Sequence, residues 1–192
     1  MGKLEDKLET LIKEKNRVVL AIDGMCASGK TLFASKLSEK YDGTVIHCDD
    51  FFLPPDMRTP KRYKEPGGNI HYERLKTEVI DKLQSKGGFS YGRFDCKKMA
   101  ITEEVIVPDK KLVIVEGAYS MHPFFGKYYD MSLFMRVSTE EQEKRIVSRN
   151  QDLKVFREKW MPLEREYFIY MGIEEKADLT ILSEHDFVLN YT

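Results

Sequence analysis

Five short apolar runs, separated by strongly polar segments, set the rhythm of this chain. They span Val18 to Ile22, Thr44 to Cys48, Lys111 to Gly117, Met131 to Val137 and Asp178 to Leu182. The runs are apolar almost throughout rather than at every second position. A strand with that pattern must be covered on both faces, as in parallel sheets. Between the runs the apolar period lengthens to three and four residues, as on helices. Residues 1–16 carry Leu4, Leu8, Leu11 and Ile12 at that spacing, which predicts an N-terminal helix. Further helices are expected from Lys30 to about Lys40, from Tyr72 to about Gln84, from Thr139 to Asn150 and from Val155 to Tyr170. On the last of these, Trp160, Leu163, Tyr167 and Tyr170 share a face and read as core. The alternation predicts an α/β fold: a five-stranded parallel sheet with helices on both faces, in one domain over 1–192.

Two segments interrupt the alternation. Residues 53–71 hold Pro54, Pro55, Pro60, Pro66 and the Gly67-Gly68 pair, and loops this long are usually functional or mobile. Residues 89–107 read as an irregular β-excursion. Ligands of parallel α/β sheets bind beyond the carboxyl ends of the strands. The residues to watch therefore follow the first three runs.

After the first run, Gly24-Met25-Cys26-Ala27-Ser28-Gly29-Lys30-Thr31 matches G-x-x-x-x-G-K-[ST] without deviation, with a strand before it and a helix after. The expected fold is accordingly the P-loop NTPase fold. Glycines let the backbone curl so that successive N–H groups converge on phosphate oxygens, and the helix start presents its positive end to the same anion. Lys30 is expected to reach the β- and γ-phosphates and the Thr31 hydroxyl to hold Mg²⁺. Gly24, Ala27, Ser28, Gly29, Lys30, Thr31 and Leu32 form the expected nucleotide-binding set, with ATP and Mg²⁺ as cofactors. Cys26 reads as a small residue tolerated in the loop; the alternative is a redox-sensing thiol, its pKa lowered by the helix N-terminus.

Asp49 and Asp50 end the second run. Strand neighbours point to opposite faces, so one is expected to face the γ-phosphate and the other to cap the turn. Glu116 follows the apolar Leu112 to Val115, where a Walker B carboxylate stands and acts on magnesium. Arg58, Lys61, Arg62 and Lys64 make the long loop basic, which fits a solvated loop or one that closes over a phosphate.

Charge and composition narrow the remaining classes. The chain has 31 basic and 32 acidic residues and a net charge of −1, which argues against a nucleic-acid partner or an anionic membrane. Apolar residues at 42% and charged ones at 33% suit an ordinary soluble globule, and no apolar run approaches the ~20 residues of a membrane span. Cys26, Cys48 and Cys96 form no C-x-x-C pair, so reduced thiols and a cytoplasmic location are expected.

In order along the chain, ASGKT, IHCDDFF, VIVEG, RIVSRN, WMPLEREYF and KADLTI resemble the uridine kinase/phosphoribulokinase superfamily, over roughly residues 17–183. The likeness is to uridine-kinase-like members, and DDFF is also similar to nicotinamide riboside kinases. The resemblance implies transfer of the ATP γ-phosphoryl group to a hydroxyl of a small acceptor, with a nucleoside such as uridine expected. Nicotinamide riboside, pantothenate and ribulose phosphate are the alternatives, and an acceptor-free ATPase or switch is the reading from a different class. It implies Asp49 as acceptor-side base, placed to touch the metal as well, and Glu116 as magnesium-side acid. It implies Arg145 and Arg149 as phosphate-facing arginines that lead into a lid over 149–157. Asp50, Phe51, His71, Tyr72, Glu73, Phe94 and Asp95 stand where acceptor contacts are expected. Where those kinases carry an arginine-rich lid, Asn150-Gln151-Asp152-Leu153-Lys154 has a single basic residue, and Lys154 and Arg157 are the candidate substitutes.

Overall fold

In the computed structural model, residues 2–183 are described; Met1 and residues 184–192 of the expected 1–192 domain lie outside them. The chain runs α1 (Gly2–Glu14), β1 (Val18–Gly24), α2 (Lys30–Lys40), β2 (Thr44–His47), α3 (Pro60–Tyr63), α4 (Tyr72–Glu78), β3 (Phe89–Asp95) and β4 (Ala100–Val107). It continues through β5 (Leu112–Glu116), β6 (Met131–Arg136), α5 (Thr139–Ser148), α6 (Leu153–Val155), α7 (Met161–Met171), α8 (Ile173–Lys176) and β7 (Leu179–Leu182). Five strands form one parallel sheet in the order β2-β5-β1-β6-β7. Ile22 lies beside Glu116 and Gly24 beside Met135 in the register, so the ends of the three central strands open on one edge.

Both faces of the sheet are covered, which is why the strands are apolar on both. Val18, Leu20 and Ile22 of β1 join Leu112, Ile114, Leu133 and Met135 against Leu4 and Leu8 of α1 and Phe33 and Leu37 of α2. Val19 and Ala21 join Val113, Val115 and Phe134 on the other face, under Phe51, Leu75, Tyr91 and Tyr167. Each fully buried Leu, Ile or Phe here stabilises the fold by roughly 1.5–3 kcal/mol. Among the described residues no helix is long and apolar enough to cross a membrane.

Three elements differ from the sequence expectation. Residues 89–107 form an antiparallel hairpin, β3–β4, with an irregularity between Arg93 and Phe94, the kind of bulge that re-aims a strand. The long loop is structured: its ends are clasped by a bridge between Phe52 and Ile70, and Thr59 caps α3 by accepting the Arg62 N–H. The helix expected over 155–170 starts at Leu153 and widens into a π-turn over Phe156–Trp160 before α7. Pro162 explains the widening. It has no N–H, and its ring displaces the carbonyl four residues back, so the Met161 N–H reaches Phe156 instead. The shared core face expected of Trp160, Leu163, Tyr167 and Tyr170 holds only in part, with Trp160 and Leu163 half-buried. Tyr167 is buried as expected, but Tyr170 is 74% exposed.

Candidate functional site

The loop between β1 and α2 is built on backbone that few residues tolerate. Gly24 has φ 136°, and a Cβ there would stand 2.2 Å from the Met135 carbonyl oxygen. Gly29 (φ 91°) and Ala27 (φ 56°) take left-handed conformations just before α2. Strain of this kind persists only where neighbours enforce it. Here α5 braces the loop from behind. Gln142 donates to the Cys26 carbonyl at 2.9 Å and Arg145 to the Ala27 carbonyl at 3.3 Å. The first N–H groups of α2 lack helical partners and suit an anion.

Lys30 is buried, with its ammonium donating to the Gly24 and Met25 carbonyls, each at 2.8 Å. The Thr31 hydroxyl donates to Glu116 Oε1 at 3.1 Å, and His47 Nδ1 lies 2.5 Å from the same oxygen. That hydrogen bond pushes the His47 pKa up. A hydroxyl and a carboxylate side by side are the hard oxygen donors Mg²⁺ takes beside water and phosphate oxygens, so Thr31, Glu116 and the nearby Asp49 fit that ion. Among the described residues no group of three or more His, Cys, Asp or Glu forms a cage of its own.

A cavity of about 460 Å³ joins these groups to a second set of residues. Ala27, Gly29, Lys30, Thr31 and Leu32 line it from the loop side, with Asp49 and Glu116 beside them. Phe52 and Arg58, Asn69, Cys96 at the hairpin tip, Tyr119, and Arg149 to Glu164 by way of Phe156 and Trp160 close the rest. Gly24 and Ser28 are absent from the lining. Asp49 sits not on the strand but in the 3₁₀ turn Cys48–Phe51 that follows it, so strand alternation does not govern its direction. Asp49 is exposed at the cavity, yet the protein packed around it and the charge of Glu116 push its pKa up.

Sequence reasoning missed three polar residues here. Asn69 and Tyr119 are 5% and 4% exposed, and neither Asn69 Oδ1 nor the Tyr119 hydroxyl has a hydrogen-bond partner among the described residues. Buried polar atoms ordinarily have one; the two side chains lie close enough to interact with each other, and both residues line the cavity. Tyr119 also has φ 80°. It is held there by the third, Asp23 at the end of β1, which accepts from the N–H groups of Gly24 (2.7 Å), Tyr119 (3.2 Å) and Met121 (2.9 Å) and from the Tyr167 hydroxyl (2.9 Å). Complete burial pushes Asp23 up to about 6 despite those donors.

Several expected contacts are spent on the protein itself. Asp50 accepts from the Tyr91 hydroxyl at 2.7 Å and from Arg93 at 3.1 Å, tying the hairpin to the sheet. Phe51 is core, under the Arg74 guanidinium. Arg62 of the long loop takes Glu73 in a two-pronged bond (2.7 and 2.8 Å) and donates to the Tyr72 hydroxyl. Tyr72 stacks on His122, and His71 caps α4. Phe94 is buried, and Asp95 accepts from the Lys97 and Lys98 N–H groups at the hairpin turn. None of these seven lines the cavity.

The two arginines of α5 part company. Arg145 is occupied by Glu141, Ala27 and Ser183, whereas Arg149 lines the cavity. Among the candidate lid substitutes, Arg157 pairs with Glu143 and Lys154 approaches Glu158. The segment's cavity-facing side chains are thus Arg149, Gln151 and Phe156. Burial and the Glu164 charge raise the Cys26 thiol pKa, opposite to a reactive thiol. Of the loop's basic residues, Arg58 reaches the cavity, its Nε donating to the Leu53 carbonyl at 2.9 Å.

No family model and no curated protein matches the sequence. Solved structures do. A protein described as a possible uridine kinase from Bacillus stearothermophilus superposes with a TM-score of 0.65 at 19% identity, over 93% of this chain and 99% of that one. A candidate fructose transport system kinase from Silicibacter gives a TM-score of 0.69 at 20% identity, over 92% and 96%. At these identities the likeness establishes the fold, which is that of P-loop kinases.

Proposed function

We propose that this chain is an ATP- and Mg²⁺-dependent kinase that phosphorylates a hydroxyl of a small acceptor, with a nucleoside 5′-hydroxyl as the leading candidate. One observation carries the reading: the loop lysine and the Thr31–Glu116 pair line the same cavity as Asp49, Asn69 and Tyr119. A nucleotide switch has no use for the second half of that cavity.

The loop amides and the start of α2 bind the phosphate chain. Lys30 exchanges its loop carbonyls for phosphate oxygens as charge builds there. Bound magnesium supplies charge neutralisation at the β- and γ-phosphates, and Thr31, Glu116 and Asp49 are the residues that would hold it. Asp49 orients the acceptor hydroxyl; the transition state is loose, so positioning matters more than basicity. Asn69 and Tyr119 offer hydrogen bonds to the acceptor body, and Phe52 and Trp160, with ring centroids 6.2 Å apart, form an apolar wall that excludes water.

The test is ADP release from Mg·ATP across a panel of nucleosides, vitamins and sugar phosphates. Asp49→Asn is expected to lower acceptor-dependent turnover by ~10²-fold or more with nucleotide affinity nearly unchanged. Equal turnover in that variant removes Asp49 from the role. Hydrolysis indifferent to every acceptor overturns the kinase reading itself.

A further inference from the structure

One buried carboxylate of the cavity has no part in the scheme above. Glu164 stands in the first turn of α7, is 9% exposed and lines the cavity. Its Oε2 accepts the Cys26 N–H at 2.8 Å, which ties it to the third residue of the phosphate loop. No N–H or O–H group among the described residues donates to its other oxygen; the Cys26 thiol, a weak donor, is the further partner of this carboxylate.

Contrast with Asp23 shows what this means. Asp23 is completely buried, and its carboxylate is filled by four donors. That is how a structural carboxylate offsets the cost of burial. Glu164 has one N–H donor and, besides it, only the weak Cys26 thiol. Phe156, Trp160 and Glu164 stand four residues apart along the helical segment, on one face, and share the cavity wall. The charged and titratable groups that act on Glu164 are Lys30, which favours its charge, and Cys26 and Asp49 near it. The Tyr119 hydroxyl is close enough to feel it in turn.

We propose that Glu164 is a second catalytic carboxylate on the acceptor side: its second oxygen accepts the hydrogen bond of the acceptor hydroxyl that Asp49 orients, and then its proton. In that step the acceptor oxygen forms a bond to the γ-phosphorus. The bond from that phosphorus to the β–γ bridging oxygen breaks and its electron pair leaves with ADP. The hydroxyl proton passes to Glu164 and on to solvent. The inference rests on the kinase reading of this cavity. Burial pushes Glu164 up to about 7, where a base is matched to proton transfer near neutral pH.

Glu164→Gln keeps the shape and retains an oxygen for the Cys26 N–H. Three measurements on the full chain decide the matter. The first is Mg·ADP affinity by calorimetry. The second is Mg·ATP turnover with uridine, nicotinamide riboside and pantothenate between about pH 5.5 and 8.5. Hydrolysis to water serves as the same readout if none of the three is turned over. The third is thermal unfolding across about pH 4.5–8.

The expected result is affinity within about threefold of wild type and turnover lower by ~10²-fold or more, with the rising limb near pH 7 gone. The variant should also gain stability relative to wild type as pH rises from about 4.5 to about 7. Across that window the folded wild type keeps a proton that the unfolded chain has released. Turnover within about threefold of wild type, or an unchanged pH limb, overturns the proposal. So does a variant less stable than wild type at pH 8 whose activity falls only with its folded fraction. Absent nucleotide binding by the wild type sinks the kinase reading instead, and calorimetry reports that separately.

Discussion

Lys30→Ala is expected to reduce phosphoryl transfer by ~10³-fold or more while leaving the chain folded. The ammonium is the one cation held inside the loop, bonded to the Gly24 and Met25 carbonyls. Losing their donor costs about 1–3 kcal/mol for each carbonyl left without a partner, and neither sheet core is touched. Losing the charge is different, because no other described cation is placed to follow the γ-phosphate as it leaves ADP. Arg149 lines the cavity, but it comes from the end of α5 rather than from within the loop. The check is single-turnover transfer in the variant, with circular dichroism to verify folding. Transfer within about tenfold of wild type would show that the loop is not the phosphate site.

Asp23→Ala is the largest stability effect expected. It strands the Tyr119 and Met121 N–H groups and the Tyr167 hydroxyl, all buried, and each stranded donor costs ~1–3 kcal/mol. A loss of about 3 kcal/mol or more should lower the melting temperature by roughly 10 °C for a chain of this size. The pH dependence has a definite sign. The folded pKa, about 6, lies above the ordinary 3.8, so the stability linked to the Asp23 proton is full below about pH 4 and lost by about pH 6. The deficit of the alanine variant should therefore narrow over that window. A deficit constant with pH, or below about 1 kcal/mol, would contradict the assignment.

The sheet was legible because a parallel strand buried on both faces leaves an unbroken apolar run. β1 outlasts its run: Asp23 and Gly24 still pair with Phe134 and Met135, and polarity hides a strand end that tertiary donors satisfy. The phosphate loop was legible because its geometry demands particular residues at fixed spacing. The acceptor half was not. Tyr72 and Glu73 looked available until Arg62, ten and eleven residues earlier, took both, and nothing local announces such a pairing. Glu164 stands four residues after Trp160 and three before Tyr167, on a face that the spacing reads as core, and a carboxylate there gives no local sign that it lines a cavity.

On the proposed reading, the widened turn over Phe156–Trp160 bears on which acceptor the cavity takes. Pro162→Ala would restore the missing N–H, let an ordinary helix form and re-aim the upstream aromatic at the wall. The sheet and the phosphate loop would stay as they are. Appetite for one small molecule or another would then hang on that one proline, leaving the machinery that handles the nucleotide out of reach of the change.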